Sequence, residues 1–425
     1  MHTLATVAIG QGVQIVTGIA TARIFGPAGK GIISYASVFV NFAIAAVEGI
    51  RNGMAFQVGD ERLSVRAIWH ASLRLLALAA PLGSLLFLGL WLNDRSQLAF
   101  IAVAIVFPFA AFLQTVNMLY LVRHAIERIN VQNSATVGAG SSLVTLVAVL
   151  ALHASIPVVL AIWVGGFAVA AVWAASGVPG LLRGTPTGVP ARPLVREQSI
   201  FALKGGASAI VTLLALRADV LVVGQRLSKA DLGVYITALA LGELMWTLSR
   251  SVTWATTGRI ATATHVEAIA LTAKVVRTLL GVQVLAGIVL VAAGPFAITL
   301  LYGARFERSG LLLQILLPRL IVYSADGIIS YFISVRAGRP GVQLAFEAAT
   351  LAFCAIATYL AIAPFGLTGA ATAATATFVL AFAAKLAYFV HVSGATWRDV
   401  LVIRRDDVPP KMRAGIARAF GRRAA

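Results

Sequence analysis

Long apolar runs, separated by short charged or Pro/Gly-rich breaks, recur along the whole sequence. They lie near residues 2–22, 32–50, 67–92, 98–121, 134–152, 156–175, 199–225, 233–255, 276–301, 310–334, 342–363 and 367–392. A bilayer core about 30 Å thick takes about 20 apolar residues per helix. The runs have this length and lack the two-residue alternation of a membrane barrel. The pattern therefore predicts an all-α integral membrane protein of about twelve transmembrane helices.

Composition agrees with this prediction. The chain is 59% hydrophobic and 12% charged, against roughly 25% charged residues in an average soluble domain. The first residues, MHTLATVAIG, lack the positive segment and the cleavage site of a signal peptide. We therefore expect residues 2–22 to be a retained first helix.

Few residues offer chemistry of the enzymatic kind. The single cysteine, Cys354, lies inside an apolar run, so neither a disulfide framework nor a thiolate metal site is expected. The six histidines are scattered over loops and helix ends, and the sequence contains no nucleophile elbow and no P-loop. We expect no active site, no metal and no cofactor.

The positive charge is distributed unevenly between the two sides of the predicted membrane. The net charge is +18, and 22 Lys and Arg residues lie in the even connections and the C-terminal tail, whereas seven lie in the odd connections. Lys and Arg accumulate in cytoplasmic loops. This predicts an even number of spans in the cytoplasmic membrane with both termini cytoplasmic. Because membrane topology accounts for the positive charge, we expect no binding of nucleic acid.

The chain divides near its middle. Residues 176–198 are rich in Pro, Gly and Arg and separate six runs (1–175) from six (199–392), with a basic cytoplasmic tail at 393–425. The first hairpin of each half also shows a weak repeat, Arg23–Tyr35 and Gly224–Tyr235, in which a short basic turn leads through Gly to Tyr. We expect two homologous six-helix lobes, an architecture that transporters use for alternating access.

Four short motifs resemble those of the oligosaccharide flippases of O-antigen and exopolysaccharide biosynthesis, within the multidrug/oligosaccharidyl-lipid/polysaccharide (MOP) exporter superfamily. They are Arg23–Gly31, Arg217–Asp219 leading to Gly233–Tyr235, Leu301–Arg305, and Ala363–Ala371. The resemblance implies a MATE-like bundle of two lobes. It also implies a transporter, not an enzyme, that moves an undecaprenyl-pyrophosphate-linked oligosaccharide to the outer leaflet.

Charged residues inside the predicted spans concentrate in the second half. They are Lys204, Arg217, Asp219, Glu243, Arg319, Asp326, Glu347 and Lys385. A charge at mid-bilayer costs about 2.5–3.5 kcal/mol on insertion scales, so such groups face a partner or a wet cavity. Arg319 and Asp326 are two helical turns apart and share a helix face. Glu243 lies at a depth that would suit pairing with Arg319.

Two roles for these charges stay open at this point. Arg319, Arg217 and Lys204 are candidates to bind pyrophosphate, because a guanidinium matches phosphate oxygens. Asp219, Glu243 and Asp326 are candidates to carry a coupling proton or sodium ion. Glu347 and Lys385 are expected to form a structural ion pair. All eight could instead serve helix packing.

Uncharged polar residues are more frequent in the spans of the first half. Gln11, Gln14, Asn41, Gln114 and Asn117 are candidates to line a cavity and bind sugar hydroxyls. Interhelical hydrogen bonding is the commoner use of such residues.

Three other functions compete with oligosaccharide translocation. An ion-coupled multidrug exporter of the same superfamily would favour an acidic and aromatic cavity, and a lipid II flippase would share the mechanism and differ in substrate. A membrane glycosyltransferase or polymerase would need large loops bearing carboxylates, and no loop exceeds about 25 residues.

Overall fold

The computed structural model describes residues 2–58, 64–184, 191–246, 263–402 and 404, with residues 249, 252, 253, 256, 257, 259 and 260 between them. Among these residues the regular structure is helical, without strands. The basic tail beyond residue 404 and residues 185–190 of the expected linker lie outside the described residues.

The chain forms twelve described α-helices, with two π-helical turns that continue neighbouring helices. The helices are α1 His2–Val58, α2 Val65–Asn93, α3 Leu98–Val122, α4 Ile126–Asn133, α5 Ala139–Ala151, α6 Ile156–Leu181, α7 Ala191–Arg226, α8 Lys229–Glu243, α9 His265–Tyr302, α10 Arg308–Tyr331, α11 Pro340–Ser393 and α12 Trp397–Leu401. The π-helical turns are Ser134–Gly138, between α4 and α5, and Phe332–Arg336, after α10.

Two of these helices are each broken by one glycine. α1 has 57 residues and α11 has 54, which at 1.5 Å per residue is more than twice the thickness of a bilayer core. Gly26 (φ 67°, ψ −170°) and Gly366 (φ 57°, ψ −136°) adopt a positive-φ conformation that residues with a side chain disfavour. Each helix therefore consists of two arms, residues 2–25 and 27–58 in α1, and 340–365 and 367–393 in α11.

The predicted class is confirmed. Among the described residues, nine helices are long and apolar enough to cross a membrane, and α1 and α11 are two of them. When their arms are counted separately, the nine helices supply eleven membrane segments. The remaining predicted run is 233–255. The helix α8, which is described over 15 residues, begins this segment. The protein is thus an all-α, multi-pass membrane protein.

The chain separates into two compact units. The first unit comprises residues 1–236 with 301–305, and the second comprises 237–300 with 306–425. The core of the first unit includes Ile68, Val103, Leu119 and Tyr120, and that of the second includes Leu279, Ile328, Phe332 and Phe389. The boundary falls within α8, so α7 belongs to the first unit, and the two six-helix lobes expected from the sequence stay a prediction.

The expected linker is shorter than its composition indicates. α6 continues to Leu181 and α7 begins at Ala191, so helix enters both ends of the segment 176–198. Pro193 lies in the first turn of α7, where a missing backbone N–H removes no intrahelical bond.

Glycines bring the backbones of the first unit into close contact. A methyl group added to Gly31 would lie 2.2 Å from the carbonyl oxygen of Lys229, and one added to Gly233 would lie 1.8 Å from that of Pro27. Each glycine thus meets the carbonyl four residues before the other, which is a reciprocal, pseudo-twofold contact. Apolar side chains do not drive helices together in lipid, and close backbone packing is what small residues supply there.

We expect Gly233→Ala to lower the apparent melting temperature of the detergent-solubilised protein. The added methyl group would force the second arm of α1 and α8 apart, and overpacking of this kind costs about 1–3 kcal/mol. Gly89→Ala is the matched control, because no atom lies within 4 Å of the added methyl group, and alanine favours a helix interior by about 1 kcal/mol. A Gly233→Ala protein as stable as wild type would show that the contact tolerates separation.

Candidate functional site

The second unit holds a buried cluster of three charges on three helical segments. The Nζ atom of Lys385 lies 2.9 Å from Oδ2 of Asp326 and 2.8 Å from Oε1 of Glu347. Lys385 is 3% exposed and Asp326 is 8% exposed. We refer to these three residues as the charge triad. The contact between Lys385 and Glu347 is the pair expected from the sequence, and Asp326 joins it.

The break at Gly366 explains how Glu347 and Lys385 meet. Each of the two residues lies 19 positions from Gly366, one before it and one after it. When the two arms of α11 run side by side, equal distances from the turn bring both side chains to the same depth, about 28 Å from the break. Asp326 is supplied by α10, which packs against α11.

Hydrogen bonds close the triad into a ring. Gln343 donates from Nε2 to Glu347 (2.7 Å) and lies 2.9 Å from the Ser330 hydroxyl, which lies 3.1 Å from Oδ2 of Asp326. Lys385 also lies 3.4 Å from that hydroxyl. Gln343 and Ser330 therefore hold the two carboxylates in position around the ammonium group of Lys385.

The triad carries one more carboxylate than it has cations. If both carboxylates are ionised its net charge is −1, and an uncompensated charge is costly in a low-dielectric interior. A cavity of about 10 Å³, lined by the triad with Tyr323, Thr350 and Phe378, adjoins it, which is space for about one water molecule. The arrangement can accept one proton, or one small monovalent cation.

Arg319 lies near this cluster and makes a different contact. Its side chain is fully buried, and its Cζ atom lies 4.1 Å from the ring centroid of Phe378, which also lines the small cavity. Such a cation–π contact stabilises a desolvated guanidinium. Although Asp326 shares the helix face of Arg319, it forms its ion pair with Lys385 because α11 packs against that part of α10.

Glu243, the expected partner of Arg319, follows a glycine that packs on α10. A methyl group added to Gly242 would lie 2.2 Å from Leu320, and the indole N–H of Trp246 donates to the carbonyl of Leu320 (3.0 Å). The end of α8 is therefore held against the turn of α10 that carries Arg319. A pairing of Glu243 with Arg319 stays a prediction.

The remaining predicted residues lie on α7, in the first unit. Lys204 is exposed, Arg217 is half-buried, and Asp219 is fully buried and accepts a 2.6 Å hydrogen bond from the hydroxyl of Tyr235. Lys204 and Arg217 are 13 residues apart, so about 20 Å of helix axis separates them. Within this unit they do not form one phosphate site, and their role with Arg319 in binding pyrophosphate stays a prediction.

The first unit contains a polar cavity of about 360 Å³. Three of the residues predicted from sequence line it, namely Gln11, Gln14 and Gln114. Asn117 is buried elsewhere in α3 and Asn41 is exposed on α1. Asn130, Asn133 and Ser134 also line the cavity. Sequence reasoning missed these three, although the polar residues from 130 to 134, at the start of the fifth apolar run, were the available signal.

Three of the four flippase-like motifs meet in the first unit. Gly31 of the first motif packs on Gly233 of the second, and Asp219 and Tyr235 of the second are hydrogen-bonded to each other. Arg23 of the first donates a 2.7 Å hydrogen bond from Nε to the carbonyl of Leu301 in the third. Residues up to 278 positions apart are thereby joined. The fourth motif contains Gly366, the break in α11.

Comparison with solved structures gives the fold. A multidrug resistance MATE family transporter of the MOP superfamily, in an inward-facing conformation, matches 92% of this chain and 98% of its own, with a TM-score of 0.72 and 13% identity. The lipid II flippase MurJ, in an inward closed conformation, matches over 94% and 88%, with a TM-score of 0.69 and 11% identity. A MOP superfamily transporter from Pyrococcus furiosus matches over 92% and 93%, with a TM-score of 0.60 and 13% identity.

These neighbours share the fold of this chain, an arrangement of helices like that of the MATE transporter and of MurJ. Neither the models of protein families nor the curated proteins gave a match to the sequence. The MATE-like architecture expected from the sequence is therefore confirmed at the level of fold.

We expect Lys385→Met to destabilise the protein strongly. The substitution leaves Asp326 and Glu347 buried without their cation, and breaking a buried pair in this way costs about 3–5 kcal/mol. The measurement is the apparent melting temperature in detergent. The triple variant Lys385→Met, Asp326→Asn, Glu347→Gln removes all three charges and should recover most of the loss. Equal stability of the single variant and wild type would refute the proposed dependence of the carboxylates on Lys385.

Proposed function

We propose that the chain translocates an undecaprenyl-pyrophosphate-linked oligosaccharide across the cytoplasmic membrane by alternating access, for surface polysaccharide biosynthesis. The observation that carries this proposal is the meeting of three flippase-like motifs in the first unit. Turn glycines alone are weak motifs. Their reciprocal packing at Gly31 and Gly233, together with the bond from Arg23 to Leu301, gives a structural reason for the motifs to occur together.

The fold supports a transporter of this kind. The neighbours include proteins described as a multidrug resistance transporter and as a lipid II flippase. The distribution of Lys and Arg supports a cytoplasmic location for both termini. In this proposal Arg319, Arg217 and Lys204 bind the pyrophosphate at different stages of translocation.

The charge triad supports coupling to a cation gradient. Its excess carboxylate favours uptake of one proton or sodium ion, and its three members lie on α10 and both arms of α11, so a change of charge acts on three segments at once. Asp219 and Glu243 are secondary candidates for the same role. A ligand shifts a conformational equilibrium only through a difference in affinity for the two states, and the triad would supply that difference.

Deletion of the gene tests the proposed substrate. We expect undecaprenyl-linked repeat units to accumulate on the cytoplasmic leaflet, because their exit is blocked, and surface polysaccharide to fall. The measurement is the fraction of lipid-linked saccharide accessible to an impermeant glycosidase in intact spheroplasts, with the plasmid-borne wild-type gene as control. Unchanged polysaccharide together with increased sensitivity to cationic dyes would favour the multidrug exporter instead.

Reconstitution tests the coupling. In proteoliposomes, imposed proton or sodium gradients should accelerate flipping of a fluorescent lipid-linked saccharide by wild type, and the charge-neutral triple variant of the triad should lose this response. Asp399→Asn is the control, because it removes a carboxylate that lies outside the membrane segments and pairs with Arg404. A triple variant that still responds to either gradient would exclude the triad as the coupling site.

A further inference from the structure

The polar cavity of the first unit is lined by uncharged polar side chains. Six polar side chains face it, all of them uncharged: Gln11, Gln14, Gln114, Asn130, Asn133 and Ser134. The first arm of α1, α3, α4 and the π-helical turn after α4 contribute them. No ionisable side chain is present among the described residues that line this cavity. Five carboxamides converging on one space in a membrane protein require partners for their donors and acceptors.

A distortion of the helix shapes one wall of the cavity. At Ser134–Gly138 the backbone forms a π-helical turn, in which the N–H of Ala139 reaches the carbonyl of Ser134. Gly140 permits this turn, since a methyl group there would lie 1.9 Å from the carbonyl of Ala135. π-helical turns occur frequently at functional sites. This one orients Asn133 and Ser134 into the cavity.

Two of the carboxamides have hydrogen-bonding capacity left for a ligand. The Oδ1 atom of Asn133 is buried and accepts no hydrogen bond from the described residues. The Oε1 atom of Gln114 receives a long contact of 3.5 Å from Arg51, whose charge is neutralised by Glu48 at 2.7 Å. The amide N–H groups of Gln114 therefore remain as donors. The two N–H donors of Gln114 are thus left for a ligand in the cavity, and the Asn133 carboxamide, whose residue lines the cavity, retains an unfilled buried acceptor.

Size and polarity point to one class of ligand. A volume of about 360 Å³ falls within the range of small-molecule sites and holds about a dozen water-sized groups, which suits one monosaccharide ring. A carboxamide both donates and accepts, as a sugar hydroxyl does. Phe167, held by edge-to-face packing with Trp163, offers an apolar surface for the C–H face of a ring. Among the described residues that line the cavity, none offers a counter-charge to a cationic or anionic ligand.

We propose that this cavity is a saccharide subsite that binds a neutral sugar ring of the substrate through the carboxamides of Gln114 and Asn133. The identity of the ligand as a lipid-linked saccharide rests on the proposed function, whereas the preference of the cavity for a neutral polyhydroxylated ring does not. The sugar and the coupling cation are thereby handled in different units of the chain.

Site-directed labelling tests the subsite directly. Because Cys354 is the single cysteine and is fully buried, Cys354→Ala gives a background in which Ser134→Cys reports on the cavity. The probes are undecaprenyl pyrophosphate carrying a neutral trisaccharide, bare undecaprenyl pyrophosphate, a free neutral trisaccharide and tetraphenylphosphonium. We expect the sugar-bearing lipid to slow maleimide labelling about tenfold or more at saturation, and the bare lipid and the cation to leave it unchanged. Gln11→Cys serves as a second reporter if Ser134→Cys does not fold.

Binding measurements in nanodiscs complete the test. Wild type should bind the sugar-bearing lipid about tenfold more tightly than the bare lipid, and the Gln114→Leu, Asn133→Leu double variant should lose this preference while retaining affinity for the bare lipid. Gln314→Leu is the matched control. It also removes a carboxamide, but Gln314 lies on α10, in the second unit, and is not part of this cavity.

The possible outcomes separate this inference from the proposed function. Labelling protected by tetraphenylphosphonium, or a double variant that keeps the sugar preference, would overturn the saccharide subsite. Protection by the free trisaccharide at high concentration, without binding of either undecaprenyl lipid, would support the subsite and refute the lipid-linked substrate. Translocation of the lipid-linked saccharide that is indifferent to both substitutions would overturn the subsite alone.

Discussion

Helices in lipid gain nothing by hiding apolar side chains from one another, and this constraint governs how the present chain is assembled. Two kinds of contact replace the hydrophobic effect. One is close backbone approach at glycines, of which the reciprocal contact of Gly31 and Gly233 is the clearest case. The other is the buried polar network, represented by Lys385 with its two carboxylates. The conformations at Gly26 and Gly366 allow these contacts by turning α1 and α11 back on themselves.

The class of fold could be predicted from the sequence because it depends on a property that accumulates over many residues. Twelve apolar runs of membrane length define an all-α membrane protein however each boundary is placed. The lengths of the connections were harder to predict, because a Pro- or Gly-rich segment predicts a break in a helix without giving its extent. Residues 176–198 read as a linker, and helix enters them from both sides.

The candidate site was predicted in part, for reasons that differ between residues. Glu347 and Lys385 could be paired because they lie at equal depth on consecutive segments. Asp326 was assigned to the face of Arg319 because periodicity describes one helix at a time, and its actual partner comes from another helix. Asn130 and Asn133 were missed because they fall in the connection between the predicted runs 98–121 and 134–152, where the structure instead has the helix α4. Ser134 was missed because it begins a π-helical turn, which no simple periodicity anticipates.

The equal spacing about Gly366 has a consequence for how this protein can change over evolutionary time. Inserting one residue in either arm of α11, between the turn and the triad, would rotate one charged side chain by about 100° and shift it by about 1.5 Å relative to its partner. A deletion in one arm would have to be accompanied by a deletion in the other. The pairing of Lys385 with Glu347 therefore constrains the length of the stretch from 347 to 385 more than it constrains the identity of most of the side chains in it.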